Sequence, residues 1–356
     1  MRDPDQIFES AIPAHLQMTR TRSKRVSENY RPPHQSFSAR FEPRVQQVVM
    51  AYLGIQFREP TAFVEGALSH LLSTLGGACG TDHWDRATYT DERQFTNIII
   101  AAYWDDPAAF ARWLESDKLR GWWEDEARAA EGIGYFREIC RPRASDFETL
   151  FSHTDREGVS ALASSMSDEV QEHGYWGSMR DRIPRSQNDA MEASGALQVA
   201  TSWRGRRIQV VPHGNLCVIR SGQDWSQCDD AERKMYFDDV EPYLTAGMQF
   251  LRDEGRAIGC YSNRFVRVTG QTGLPVDRSY CVGLWRDLAD LERWAESHAT
   301  HLAIFTAAIR HYSRLGTTAG LRAWHEVSVL RAEDQTFEYI GCHDLTGMLA
   351  AVPGRL

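Results

Sequence analysis

WRDLADLERWAES, residues 285–297, repeats an earlier stretch of the same chain, WDDPAAFARWLES, residues 104–116. Both fit W-x-D-x-A-x-Φ-x-R-W-x-E-S without a gap, Φ being a large apolar side chain. A strand-like run precedes each, IIIAAYW ending at Trp104 and SYCVGLW ending at Trp285, rich in β-branched and aromatic residues. The echo resumes downstream, where YFREICRPRASDFETL (135–150) resembles AWHEVSVLRAEDQTFEYI (323–340). Glu138 matches Glu326, Arg143 matches Arg331, and Phe147-Glu148 matches Phe337-Glu338 after two extra residues in the second copy. Two matches in the same order point to an internal duplication.

Working outward, the halves share one element order. The first reads as a strand in QQVVMAYLGIQF, a helix in PTAFVEGALSHLLSTL, a poorly patterned stretch at 80–93, the strand to Trp104, the RW helix and a strand at 133–141. The second reads as a strand in NLCVIR, one helix in DAERKMYFDDVEPYLTAGMQFLRDEG, a strand in GCYSNRFVRV, the strand to Trp285, the second RW helix and a strand at 323–330. This is β-α-β-β-α-β twice, the ferredoxin-like unit. The expected class is α+β: internally duplicated ferredoxin-like units in a barrel-like arrangement, mainly antiparallel sheets with outer helices, the open faces covering one another. The expected division is an extended arm over 1–43, a first half over 44–181, a polar linker over 182–204, and a second half over 205–356.

A net charge of −9 argues against a polyanion as the main partner, and the 40 basic residues are nearly all arginine. The seven cysteines are scattered without a CxxC pair, which fits free thiols in a reducing cytoplasm. MRDPDQIFESAIPAHL has no apolar run like that of a signal peptide, and no apolar run approaches the roughly 20 residues of a membrane span. The expectation is a soluble cytoplasmic protein with neither nucleic-acid nor membrane partner.

RWAESHATHLAIF (293–305) holds His298 and His301. In register with the first copy they replace Asp117 and Arg120, so the fold does not demand histidine there. On a continuous helix His301 shares a face with Phe305 and Ile309, and His298 lies about 100° away on the polar side. Three readings stand: a zinc site, which needs further ligands; a satisfied histidine; or an imidazole opening into an apolar cavity, the setting of a haem's proximal ligand. Arg180, in EHGYWGSMRDR, is a cation among aromatic residues and glycines, with Asp181 or Glu172 as ordinary salt-bridge partners. Ser221 ends NLCVIR and enters SGQDW, where serine commonly forms a turn or cap. His325 alternates with Val327 and Val329 on one strand face, and is either a satisfied core group or a buried acid–base group.

HGYWGSMRDR, IRSGQDW, GCYSNRFVR, RWAESHATHL and HEVSV, with ESAIPAHL near the start, together resemble the haem-containing aldoxime dehydratases, from about residue 8 to about residue 350. The resemblance implies a doubled ferredoxin-like fold, one haem b per chain with ferrous iron in the active state, and a homodimer. It implies dehydration of a small-molecule aldoxime, R–CH=N–OH, to a nitrile and water. Position by position it makes His301 the proximal iron ligand, and Arg180, Ser221 and His325 the distal catalytic set, His325 as general acid and base. Glu148 matches a distal-side glutamate. Alanine stands at 299 where the family pattern has proline, and HYSRLGTTAG is longer than the family's segment. The rival classes are a haem peroxidase or oxygenase and a non-catalytic haem sensor on the same doubled fold.

Overall fold

The computed structural model describes residues 7–77 and 79–352. After the short strand β1 (Ala39–Arg40), the first half runs β2 (Val49–Phe57), α1 (Ala62–Leu75), β3 (Trp84–Thr90), β4 (Thr96–Trp104), α2 (Pro107–Leu114), α3 (Asp117–Trp123) and β5 (Gly134–Cys140). Next come β6 (Phe147–Phe151), β7 (Ser165–Met166), α4 (Ser178–Arg182), β8 (Gln198–Ser202) and β9 (Arg207–Val211). The second half runs β10 (Leu216–Asp224), α5 (Asp230–Asp239), α6 (Glu241–Asp253), β11 (Cys260–Thr269), β12 (Pro275–Trp285), α7 (Leu288–Ser297), α8 (Ala299–Leu315) and β13 (Arg322–Leu330), and β14 (Gln335–Ile340) follows.

The repeated motif makes the same corner twice. Its aspartate is the N-cap of the helix after each strand, Asp106 accepting from Ala108 N and Asp287 from Asp290 N. Its two tryptophans are buried in both copies, Trp104 with Trp113 and Trp285 with Trp294.

One sheet of 12 strands holds both halves, in the order β6-β13-β10-β12-β11-β3-β4-β2-β5-β14-β9-β8. Each half contributes four strands with its first and third at the centre. The halves join where Arg267–Thr269 of β11 pairs antiparallel with Arg86–Thr88 of β3. They also exchange their next strands, since β6 pairs with β13 and β14 with β5. The inner faces share one core, in which Tyr52, Tyr103 and Phe136 meet Val218, Val266 and Tyr280. The outer face of the first half packs against α1–α3, and that of the second against α4, α6, α7 and α8.

Several local expectations change. The helix expected over 230–255 breaks at Val240, because Pro242 cannot continue the hydrogen bonding of the turn before it. The RW helix of the second half also breaks. His298, at φ −81° and ψ 133°, ends α7 and caps α8, with Nδ1 accepting from Thr300 N, and its ring stacks on Phe250 at 4.3 Å. Its polar-side position on a continuous helix is therefore corrected to a junction cap. Ser221 is mid-strand rather than in a turn: β10 runs to Asp224, paired on both sides by β12 and β13. Gly222 lets Trp324 lie against that backbone, since a Cβ there would meet the indole at 2.4 Å. The stretch 182–204 is not a uniform linker. Residues 182–187 are buried, Arg185 N donating to Ser145 O, and the exposed part contains β8.

The arm lies on its own chain. Glu9 bridges to Val170, Phe37 to Phe151, and Lys24 reaches Glu172 at 2.5 Å; residues 1–6 fall outside the described part. Among the described residues no helix is long and apolar enough to cross a membrane.

Candidate active site

The site lies on the outer face of the second half. Exposure alternates along β10: Ile219, Ser221 and Gln223 are half-buried while their neighbours are buried. The same row continues across the sheet. His325 on β13 is the register partner of Ser221, Leu150 on β6 is the partner of His325, and on the other side Cys281 on β12 is the partner of Ser221. Side chains at partner positions project to one face, so a histidine and a serine stand side by side there.

Glu148 lies one pair along, opposite Val327 and on the same face. Its Oε1 is 3.0 Å from His325 Nε2. Arg182, from α4, closes the group: Nε donates to Glu148 Oε2 at 2.6 Å, Nη2 to Oε1 at 3.0 Å, and Nη2 is 2.9 Å from His325 Nε2. Nη1 donates to Glu172 O at 2.8 Å. Arg182 and Glu148 side chains are each 1% exposed, whereas His325 is 23% exposed. Burial pushes the Glu148 carboxyl up, but Arg182 and then His325 outweigh it and hold it below its ordinary range. An ionised carboxylate only accepts and a guanidinium only donates, so a protonated Nε2 has Glu148 Oε1 as its acceptor, while Arg182 Nη2 donates to Oε1 and makes only a close approach to Nε2. Nδ1 takes none of these contacts.

His301 projects from α8. Its Nδ1 lies 2.6 Å from the Ala295 carbonyl at the end of α7. A carbonyl only accepts, so Nδ1 carries the proton and Nε2 keeps a free lone pair. Burial pulls the imidazole down to about 4, the Ala295 hydrogen bond opposes this, and the charge of His325 lowers it further. Trp176 and Trp294 flank the ring at 5.8 and 4.7 Å between centroids. Beyond His301 the helix presents bare apolar surface: Phe305 and Ile309 are each 40% exposed, and only Ala307 and His311 of α8 are buried.

This donor set suits haem. A neutral imidazole is oriented through Nδ1 and free at Nε2, as axial ligation requires. Phe305 and Ile309 would offer the haem apolar surface on the helix, and the half-buried Ile219 on the sheet. Zinc is a poorer match, since no group of three His, Cys, Asp or Glu is placed to hold a metal ion among the described residues.

The structure therefore brings together His325, Glu148 and Ser221 of the expected residues. Arg180 does not join them. Its Nη2 pairs with the buried Glu292 carboxylate at 2.7 Å and its Nη1 donates to Ala190 O at 2.6 Å, tying α4 to α7. Arg182 was not singled out from sequence. Nothing in RDRIP separates it from the other arginines, though a glutamate on a buried sheet face calls for a cation nearby. Cys281 and the Ala295 carbonyl were also missed.

The second half thus holds one neutral histidine with a free Nε2 and a second histidine bound to a buried carboxylate. The family described as haem-containing dehydratase matches residues 51–348. An aliphatic aldoxime dehydratase of Pseudomonas chlororaphis is 48% identical over 96% of this chain and 98% of its own. A phenylacetaldoxime dehydratase of Bacillus sp. (strain OxB-1) is 34% identical over 92% and 94%. A crystal structure of an aldoxime dehydratase superposes with a TM-score of 0.92 at 48% identity, covering 96% of this chain and 98% of that one. One in complex with butyraldoxime also gives 0.92, at 46% identity and 96% of both chains. The chain belongs to the haem-containing dehydratase family, and haem is its cofactor.

Proposed function

We propose that this protein dehydrates aldoximes to nitriles, R–CH=N–OH → R–C≡N + H2O, with His301 as the proximal ligand of haem b and His325 as the proton-transfer group. The observation that carries the reading is the His325 imidazole, held at Nε2 by Glu148, with Ser221 beside it and His301 near enough to feel the charge of His325. Ferrous haem, held by His301, would supply an iron able to bind the oxime nitrogen and donate electron density toward the N–O bond.

The protein does the rest. Hydroxide is a poor leaving group, so the oxygen needs a proton as it departs, and the carbon must then give one up. With Nε2–H directed at Glu148, the imidazolium donates from Nδ1 to the departing oxygen. The neutral ring left behind still carries its proton on Nε2, so Nδ1 is bare and takes the proton from carbon. The ring is a donor and then an acceptor at one atom, without turning. Ser221 hydrogen-bonds the oxime oxygen and keeps it toward His325. Arg182 keeps Glu148 ionised. Arg180, in the family resemblance a charge-assisted donor to that oxygen, must leave Glu292 to act so.

Activity in the cytoplasm as a homodimer belongs to the same proposal. The test is anaerobic incubation of dithionite-reduced, haem-loaded protein with phenylacetaldoxime and butyraldoxime, followed by nitrile analysis. Nitrile should form without peroxide or O2. His325→Ala should keep haem yet lose roughly 10²-fold or more in kcat; normal turnover in that variant would remove His325 from the mechanism.

A further inference from the structure

Ser221 has one hydroxyl proton and two neighbours in its row. On the β13 side is His325; on the β12 side is Cys281, whose Sγ lies 2.9 Å from Ser221 Oγ. Either atom can donate in that contact, and the choice decides which way the serine proton points. A thioether or thiol sulfur is a weak acceptor, while a hydroxyl oxygen is a good one. Cys281 is buried, and burial pushes its thiol above the ordinary value, so the sulfur carries its proton.

We propose that Cys281 is a positioning residue for Ser221: its S–H donates to Oγ and leaves the serine O–H to point at the substrate oxygen. This deepens the dehydratase reading and rests on it. The sequence S–H···O–H···O runs one way, each hydrogen donated into a lone pair of the next oxygen. Without the thiol, Ser221 has three staggered hydroxyl orientations and no partner on the β12 side to select one.

The experiment has a kinetic arm and a spectroscopic arm. Cys281→Ala should lower kcat roughly 3- to 10-fold, the worth of one net hydrogen bond, with KM and haem content unchanged. Cys281→Ser, which keeps a donor of similar reach, should recover most of the loss. In a Ser221→Ala background, Cys281→Ala should change kcat by less than about 2-fold, because the two act as one unit. The infrared S–H stretch of Cys281, isolated by difference against Cys281→Ala, should move to higher wavenumber in Ser221→Ala, where its acceptor is gone. An equal kcat loss in both backgrounds would make Cys281 a mere packing residue. Full activity of Cys281→Ala, or an S–H band indifferent to Ser221→Ala, would overturn the proposal. If wild-type protein made no nitrile, the dehydratase reading would fail, and the infrared arm would still judge the hydrogen bond on its own.

Discussion

Replacing Glu148 with glutamine changes one oxygen for an NH2 group and nothing in shape. Arg182 has only donors to offer, through contacts of 2.6 and 3.0 Å, so it retains the remaining oxygen of the amide. The NH2 group then faces His325 Nε2, at the 3.0 Å now spanned by a carboxylate contact. An amide N–H pointing at Nε2 demands a bare nitrogen, so the ring's proton moves to Nδ1. That tautomer cannot accept a proton from carbon at Nδ1. A carboxylate-to-amide change beside a catalytic imidazole costs about 10⁴ in the serine-protease triad through the same tautomer error. Here we expect kcat to fall on the order of 10²–10⁴. The change also strands a buried guanidinium, which should cost about 3 kcal/mol of stability. The assay is nitrile formation normalised to haem by absorbance, with urea unfolding for stability. The acid limb supplies a further check. Glu148 is held below its ordinary value in the fold, so the pair's contribution is complete above the unfolded carboxylate pKa of about 4.3. It is lost as pH falls through the lower folded value. Glu148→Gln should lack that component of acid destabilisation. A variant with full haem and kcat within about 3-fold of wild type would refute the tautomer argument.

His301→Ala should purify without haem from haem-replete cells, and added imidazole should restore the absorption band in part. With the His301 pKa near 4, apoprotein stability should rise with pH between about 4 and 6.5, where the unfolded state binds the extra proton, and His301→Ala should flatten that rise. Arg180→Ala separates two roles: a donor to the departing oxygen predicts lost turnover with haem retained. A brace between α4 and α7, whose Ala295 carbonyl orients His301, predicts weaker haem binding measured by titration, with kcat per haem unchanged.

The architecture was legible because it is written twice. One unit's pattern of a strand ending in tryptophan, an aspartate cap and an RW helix is modest evidence; its recurrence in order excludes most other folds. The strand exchange of β6 and β14 was not legible, since pairing between distant segments leaves no mark on local periodicity. At the site, His301, Ser221, His325 and Glu148 could be matched to motifs, and the structure groups three of them. Arg182 could not, because its importance comes from where α4 sets it down. Ser221 was misplaced into a turn because SGQDW has turn composition. Pairing on both sides overrides that composition, as tertiary context often does for strands.

The duplication also explains why the chemistry occupies one half. Glu338, on the strand β14 that the second half lends to the first half's sheet, matches Glu148. It lies opposite Arg137, the counterpart of His325, and binds its Nε at 2.6 Å. Arg207 and Trp123 also hold it. The two extra residues before Phe337 shift this register by one pair, which keeps the glutamate on the same face. The positions of Ser221 and Cys281 are filled by Leu53 and Ile100, both buried under α1–α3. Both halves thus place a carboxylate at the same point, and what differs is its partner and its cover. A guanidinium never releases its proton in this range, so the first pair is a permanent strut under a closed face. In the second half an imidazole replaces it, a serine and a cysteine replace leucine and isoleucine, and the helix above leaves apolar surface bare. Converting His325 to arginine should therefore be tolerated by the fold, since the first half carries that pair intact, while abolishing proton transfer. A variant that unfolded instead would show that the two halves do not share one structural solution.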